Sequence, residues 1–292
     1  MPRQKIDRIF IVGHRSDFRF TRCCVASIRR WYPDIRVTLI KDSAGGTYDT
    51  SDLERCCKVD LFPSATTRFG FGMARLEALF LPERERCLIV DSDIVFAGPV
   101  LGRLEAFDED FVVEGVDHTP EETRQNYFDP DAVGALFPDF HYPGFVFNIG
   151  QMVATTGILK REMFEPFVQF SEPRRLLRRD LFFCFDQGVL NFILLRLAQR
   201  GVLTIRRDRF MKWAGALNPQ DVTIDRMENG PPYEFLIHWA GRKHAILSAN
   251  LLPHVLAHFE AAYYKALHRC QQLYSSTGSR KPSSKGPAVR PM

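Results

Sequence analysis

The stretch CLIVDSDIVF, residues 87–96, runs mostly apolar residues into Asp91, Ser92 and Asp93, after which apolar residues resume. A continuous apolar run is the pattern of a central parallel strand, whose two faces are both covered. Two carboxylates in such a strand need a reason. Burying an isolated carboxylate costs several kcal/mol, and two close together repel. A divalent cation resolves both problems, and hard oxygen ligands suit Mg²⁺ or Mn²⁺. The bland alternative is that one aspartate caps the next helix while the other pairs with an arginine; a strand-end D-x-D alone fits either. The pattern occurs three times, at Asp91/Asp93, Asp108/Asp110 and Asp129/Asp131. The last two lie in polar surroundings and read as solvated turns or helix caps. The first terminates an apolar strand, and the C-terminal end of a parallel strand is where open α/β sheets present their ligands.

Working outward, RIFIVG (8–13) reads as a first strand and IRVTLI (35–40) as the next. Between them residues 18–31 carry apolar positions at helical spacing and end in Trp-Tyr-Pro, a helix stop. This strand–helix–strand opening is the unit of a parallel sheet. A short strand is expected near 58–62, a helix over 69–81 closed by Pro82, a strand over 111–115 and a loop over 116–143. PGFVFNIGQMVATT (143–156) reads as a strand pair around Asn148–Gly150. Helices are expected over 160–170 and 186–200, and a strand over 235–241. Residues 250–274 form a long amphipathic helix, with Leu252, Leu256, Phe259, Tyr263, Leu267, Cys270 and Leu273 on one stripe. One domain over 1–274 is expected, followed by a disordered basic tail over 275–292.

Composition bounds the function. Of the 292 residues 45% are hydrophobic and 25% charged, as in a soluble globular protein with a sizeable core. No apolar run approaches the ~18 residues of a membrane span, and the N-terminus reads as a strand and not as a secretion signal. The net charge of +4 resides in the tail, which holds Arg280, Lys281, Lys285 and Arg290 and no acid. The body is therefore neutral, and a nucleic-acid footprint is not supported. The tail reads as a solvated end, with peripheral contact to anionic lipid as the alternative. Seven cysteines, with adjacent pairs at 23–24 and 56–57 and no C-x-x-C, suggest reduced thiols and a cytoplasmic setting.

ARLEAL, a proline and CLIVDSDIVF together resemble the donor-binding core of GT-A fold glycosyltransferases, most of all the glycogenin and bacterial galactosyltransferase group, family 8. FNIG (147–150) resembles that family's F-N-x-G, FDQGVLN (185–191) its D-Q-x-x-L-N and IHWAG (237–241) its H-x-x-G segment. The resemblance spans roughly residues 6–245, and the shared order makes the combination more specific than any one motif. It implies an α/β fold with a central, mostly parallel mixed sheet flanked by helices. It also implies a metal-dependent transfer of a hexose, with retention, from a nucleotide-diphosphate sugar, UDP-linked, to a hydroxyl of a glycan, protein or lipid. By the same resemblance Asp91, Asp93 and His238 hold Mn²⁺ or Mg²⁺, and Arg75 sits beside the donor. Asp186 binds sugar hydroxyls, Gln187 lies near the anomeric carbon, Asn148 borders the sugar and acceptor, and Gly241 lets backbone approach the diphosphate. The family's phosphate-contacting lysine is displaced here, leaving Arg242 or Lys243 as substitutes. The segment after the first strand, Gly13 to Asp17, matches poorly; Asp17 is the candidate to reach the base.

Read without the family, the same residues still suit the chemistry. A departing nucleoside diphosphate develops negative charge, which a metal and nearby cations stabilise. Each residue also has a plainer reading: Arg75 as a solvated helix pair, Asp186 as a helix N-cap, His238 as a core histidine, Asn148 as a turn residue. His254 and His258 are metal-spaced on a helix but read as surface. Trp213 and Trp239 suit stacking on sugar or base, Trp239 more readily core packing. RRLLRR (174–179) reads as a solvated helical face, with anionic lipid or an anionic acceptor as the alternative. An inverting enzyme would need a carboxylate base, for which Asp117 and Glu114 are candidates. The acceptor site is expected within 116–143 and 157–185. The rivals are a nucleotidyltransferase, which GHRSDFRF opposes for want of a glycine-rich loop, and a donor-binding protein without turnover.

Overall fold

The computed structural model describes residues 5–42, 46–63, 73–184, 186–241 and 243–277. The strands are β1 (Arg8–His14), β2 (Arg36–Asp42), β3 (Val59–Leu61), β4 (Arg86–Asp91), β5 (Ile94–Phe96), β6 (Phe111–Glu114), β7 (Gln151–Thr155), β8 (Val168–Gln169), β9 (Arg175–Leu176), β10 (Ile205–Asp208), β11 (Met211–Trp213) and β12 (Leu236–His238). The helices are α1 (Phe18–Trp31), α2 (Ser51–Cys57), α3 (Arg75–Leu79), α4 (Leu101–Leu104), α5 (Pro120–Asn126), α6 (Pro130–Leu136), α7 (Asp186–Gln199), α8 (Ile224–Asn229) and α9 (Pro253–Thr277). The central sheet runs β10-β6-β7-β4-β1-β2-β3, with β7 antiparallel to both neighbours and the other pairs parallel. This is the mostly parallel mixed sheet the sequence resemblance implies.

Central position explains the apolar runs. Ile9, Ile11, Leu88 and Val90 face one core, shared with Cys24, Val25 and Ile28 of α1. Phe10, Val12, Cys87 and Ile89 face the other, shared with Leu190, Phe192 and Leu194 of α7. Alternate residues of one strand thus serve opposite layers, so no position is left for a polar side chain until the strand ends.

Much of the phenylalanine content collects on the α7 side. Phe192 meets Phe140, Phe167 and Phe182 at centroid distances of 5.0, 5.5 and 5.3 Å, which anchors residues 120–182 to that helix.

Several local expectations give way. CLIVDSDIVF is two strands in different sheets: β4 ends at Asp91, and β5 joins β12 and β11 in a separate three-stranded sheet. Residues 116–143 hold two helices, because Pro120 and Pro130 occupy first-turn positions behind the caps Thr119 and Asp129, which sequence reading takes as loop signals. The expected pair over 143–156 is β7 alone, since the Asn191 side chain takes both backbone groups of Phe147 that a partner strand would use. Helix 160–170 reduces to a turn at Arg161–Met163 and β8, with Pro166 interrupting any helical ladder. RRLLRR is no helix: Leu176 of β9 pairs with Val168 and is buried. Helix 69–81 is described only as α3, residues 69–72 lying outside the described part, as does the tail from 278. Leu273 is 68% exposed, so the apolar stripe of α9 stops short of it.

The thiol reading is also corrected. Cys56 and Cys270, 214 residues apart, form a disulfide between α2 and α9. Spacing along the chain did not reveal it because the packing of α9 against α1 and α2 brings them together. It removes the support that free thiols lent to a cytoplasmic setting. Among the described residues no helix is long and apolar enough to cross a membrane.

Candidate active site

The aspartate corner is held by backbone from three sides. Asp91 N donates to Gly150 O (2.7 Å), Ser92 N to Val12 O (3.0 Å), and Trp239 N to Asp93 O (3.1 Å). β4 therefore stops where β1, β7 and β12 all deliver residues. β12 sets His238 beside Ile94 in register, directly after Asp93. His238 Nε2 lies 3.3 Å from Asp93 Oδ1 and 4.0 Å from Asp91 Oδ2.

Gly150 makes this approach possible. A Cβ there would stand 2.4 Å from His238 Cε1, 2.8 Å from Asn148 Oδ1 and 2.9 Å from Asp91 Oδ2.

Arg75, at the start of α3, is 2% exposed and not a solvated pair. Its Nη2 donates to Asp91 Oδ1 and its Nε to Asp186 Oδ2, both at 2.8 Å, and its Nη1 to Ile149 O. Burial pulls the guanidinium down, but Asp91 and Asp186 outweigh it and hold Arg75 above its ordinary value. One guanidinium is shared between two carboxylates, Asp186 buried and Asp91 partly exposed. Burial pushes Asp186 up to about 6 against Arg75, and lifts Asp91 too, helped by Asp93. Asp93 goes the other way: burial would raise it, but His238 and Lys243 hold it well below the usual carboxylate range. Lys243 Nζ sits 2.7 Å from Asp93 Oδ2 and 3.2 Å from Asp17 Oδ2, which outweigh burial and keep it above its ordinary value.

Asp186, Gln187 and Asn148 form the adjoining cluster. Asn148 Nδ2 donates to Gln187 Oε1 (3.0 Å), and Asn148 Oδ1 accepts from Gly150 N (2.8 Å). Asn191, one turn along α7, fixes this pair: its Nδ2 donates to Phe147 O and Gln187 O, and its Oδ1 accepts from Phe147 N, all at 2.9 Å. Asn191 was legible as a motif letter but not as a clamp. Gly13 and His14, of the segment that matches the family poorly, and Asp42, which no motif marks, also line the cleft, at the C-terminal ends of β1 and β2 where such sheets present ligands.

The cleft measures about 410 Å³ and takes in Asp17, Arg75, Asp91, Asp93, Asn148, Asp186, Gln187, His238, Gly241 and Lys243. Every residue that the family resemblance assigns to the site thus meets in one place, except Arg242, which lies outside the described residues. Gly241 has φ +87°, a conformation that favours glycine. Asp91, Asp93 and His238 each offer an atom within 4.8 Å of the others. Asp93 Oδ1 is buried without a hydrogen-bond partner among the described residues. Two carboxylates and an imidazole fit a divalent cation.

The other candidates fall elsewhere. His254 Nε2 is bonded to Val222 O (2.7 Å) and His258 lies by Glu228. Trp239 is buried, its indole N–H on Leu251 O (2.7 Å). Glu114 is fully buried with Val116 N on its carboxylate, and Asp117 is paired with Arg207 at 2.6 Å; neither lines the cleft.

Solved structures share this architecture. WbbM, a bifunctional glycosyltransferase in its apo form, aligns with TM-score 0.58 at 11% identity, over 90% of this chain and 52% of that one. The galactosyltransferase LgtC, in complex with donor and acceptor sugar analogues, aligns with TM-score 0.53 at 16% identity, over 88% of this chain and 95% of that one. The chain has the GT-A glycosyltransferase fold. The apo form of GlyE from Streptococcus pneumoniae TIGR4 aligns with TM-score 0.53 at 13% identity, over 97% of this chain and 66% of that one. The chain spans about half the length of WbbM and 66% of GlyE. At such identities the likeness is one of fold. No protein-family model matches the chain, and no curated protein matches it in sequence.

Proposed function

We propose that the protein is a metal-dependent hexosyltransferase that takes a nucleotide-diphosphate sugar, UDP-linked, as donor and an acceptor hydroxyl as nucleophile. The observation that carries this reading is the Asp91–Asp93–His238 group, with Asp93 and His238 buried and Asp91 partly exposed, opening onto a cleft whose remaining walls suit a sugar diphosphate. Asp91, Asp93 and His238 would hold Mn²⁺ or Mg²⁺. Bound there, the ion supplies Lewis-acid stabilisation to the departing diphosphate. Lys243 is the second cation for the diphosphate, released from Asp93 once the carboxylate has another partner. Asp186, held by Arg75, accepts from donor sugar hydroxyls. Gln187, locked to Asn148, presents its amide to the anomeric carbon. Gly13, Asp17 and Asp42 border the base.

The reading is retaining. Glu114 and Asp117, the two candidates for an inverting base, are respectively sealed in the core and tied to Arg207 outside the cleft. The leaving phosphate oxygen then takes the acceptor proton.

The test is a panel of nucleotide sugars screened for Mn²⁺-dependent thermal stabilisation, followed by an assay of nucleoside diphosphate release. One donor should raise Tm only with Mn²⁺ and be turned over. Asp93→Ala should abolish release with the fold intact; release at the wild-type rate in that variant overturns the assignment.

A further inference from the structure

A metal-binding histidine ordinarily has its second ring nitrogen fixed by a hydrogen bond to a carboxylate, carbonyl or water, which sets the ring plane. Among the described residues no protein group gives His238 that support. Its Nδ1 is buried and has no hydrogen-bond partner among the described residues. The ring is nevertheless 3% exposed and aimed through Nε2 at Asp93 and Asp91.

Trp213 flanks the ring by position. β11 and β12 are parallel neighbours, and Trp213 and His238 are register partners at their ends. Cross-strand partners project on one face, and the two rings lie stacked, 5.0 Å between centroids and 28° between planes. Gly150 bounds the ring at Cε1, where a methyl group would stand 2.4 Å away. We propose that Trp213 is a positioning residue of the cation site, its indole face setting the imidazole plane. The proposal rests on the cation site proposed above. It adds that the small β5-β12-β11 sheet is the mount of that site: β11 and β12 carry Trp213 and His238 in register, and β5 begins directly after Asp93.

The experiment is Mn²⁺ titration of the full chain without nucleotide, free Mn²⁺ being counted by its EPR signal. Loss of an outer partner of a metal-binding histidine costs roughly 10–100-fold in affinity. Trp213→Leu should weaken Mn²⁺ binding by at least about tenfold, and Trp213→Phe, which restores a ring face, should recover most of it. In a His238→Ala background, with no ring to orient, Trp213→Leu should change Mn²⁺ affinity no further. Trp213→Met serves as the ringless variant should the leucine chain fail to fold. Wild-type affinity in the ringless variant, equal losses in the leucine and phenylalanine variants, or an undiminished effect without His238 overturns the role of Trp213 alone. A wild-type chain that takes up no Mn²⁺ overturns the cation site and the role together.

Discussion

Gly150→Ala perturbs the proposed site with one methyl group. The backbone at Gly150 lies outside the left-handed region, so alanine meets no conformational strain, and the effect is steric. The added Cβ would stand 2.4 Å from His238 Cε1, 2.8 Å from Asn148 Oδ1 and 2.9 Å from Asp91 Oδ2. The contact with His238 must open by about 1 Å and the other two by roughly half that to reach ordinary van der Waals distance. None of these groups is a free flexible end: the imidazole lies against Trp213, Asp91 is tied to Arg75, and Asn148 to Gln187. Overpacking of this kind costs about 1–3 kcal/mol, which for a chain of this size lowers Tm by a few degrees, on the order of 5 °C. The functional effect should be larger than the stability effect, because the methyl drives apart two of the three proposed metal ligands. Mn²⁺ affinity should fall at least about tenfold, and donor turnover with it. Gly102→Ala is the control, since nothing lies within 4 Å of its Cβ and it sits in α4. Calorimetry with and without Mn²⁺, together with nucleoside diphosphate release, reads all three quantities. Wild-type Mn²⁺ affinity and turnover in Gly150→Ala would refute the reasoning.

Other variants probe the neighbouring contacts. Lys243→Met removes the ammonium that sits on Asp93, so Mn²⁺ should bind several-fold tighter without nucleotide while nucleoside diphosphate binds more weakly; parallel titrations check both signs. Asn191→Leu unclamps Phe147 from α7 and should lower kcat more than it raises KM, as steady-state kinetics would show. Asp186, raised to about 6 in the fold, contributes stability that is present below its unfolded value near 4 and lost as pH rises through 6. Ionising the buried carboxyl across that window removes about 3 kcal/mol. In metal-free buffer the Tm difference between wild type and Asp186→Asn should therefore move against the wild type over the same range, and a flat difference would contradict the assignment. Cys56→Ser should lower Tm and abolish its dependence on reductant, the lost cross-link being worth about 2–5 kcal/mol.

The sequence was most legible where one physical demand dominated. Residues 87–90 are apolar because both faces of β4 are covered, and the first aspartate stands where the strand ends. The resemblance to a glycosyltransferase family, carried by several short motifs in shared order, named Asp91, Asp93, Arg75, Asn148, Asp186, Gln187 and His238, and the fold brings all seven to one cleft. Contacts between distant segments were not legible. Nothing local marks Asn191 as a substitute for a strand partner, Trp213 as the face against His238, or Cys56 as the mate of Cys270. Local signals also misled where they serve two purposes. Pro120 and Pro130 look like loop residues but open helices, and Arg175–Leu176 has helical composition yet pairs as a strand.

The most direct measurement is anomalous diffraction from a crystal grown with Mn²⁺ and a nucleoside diphosphate. The account requires one Mn²⁺ peak about 2 Å from oxygens of Asp91 and Asp93 and from His238 Nε2, touching the diphosphate, with Lys243 moved from Asp93 to phosphate. A fully bound nucleotide with no peak among those three side chains, and Lys243 still on Asp93, would contradict it.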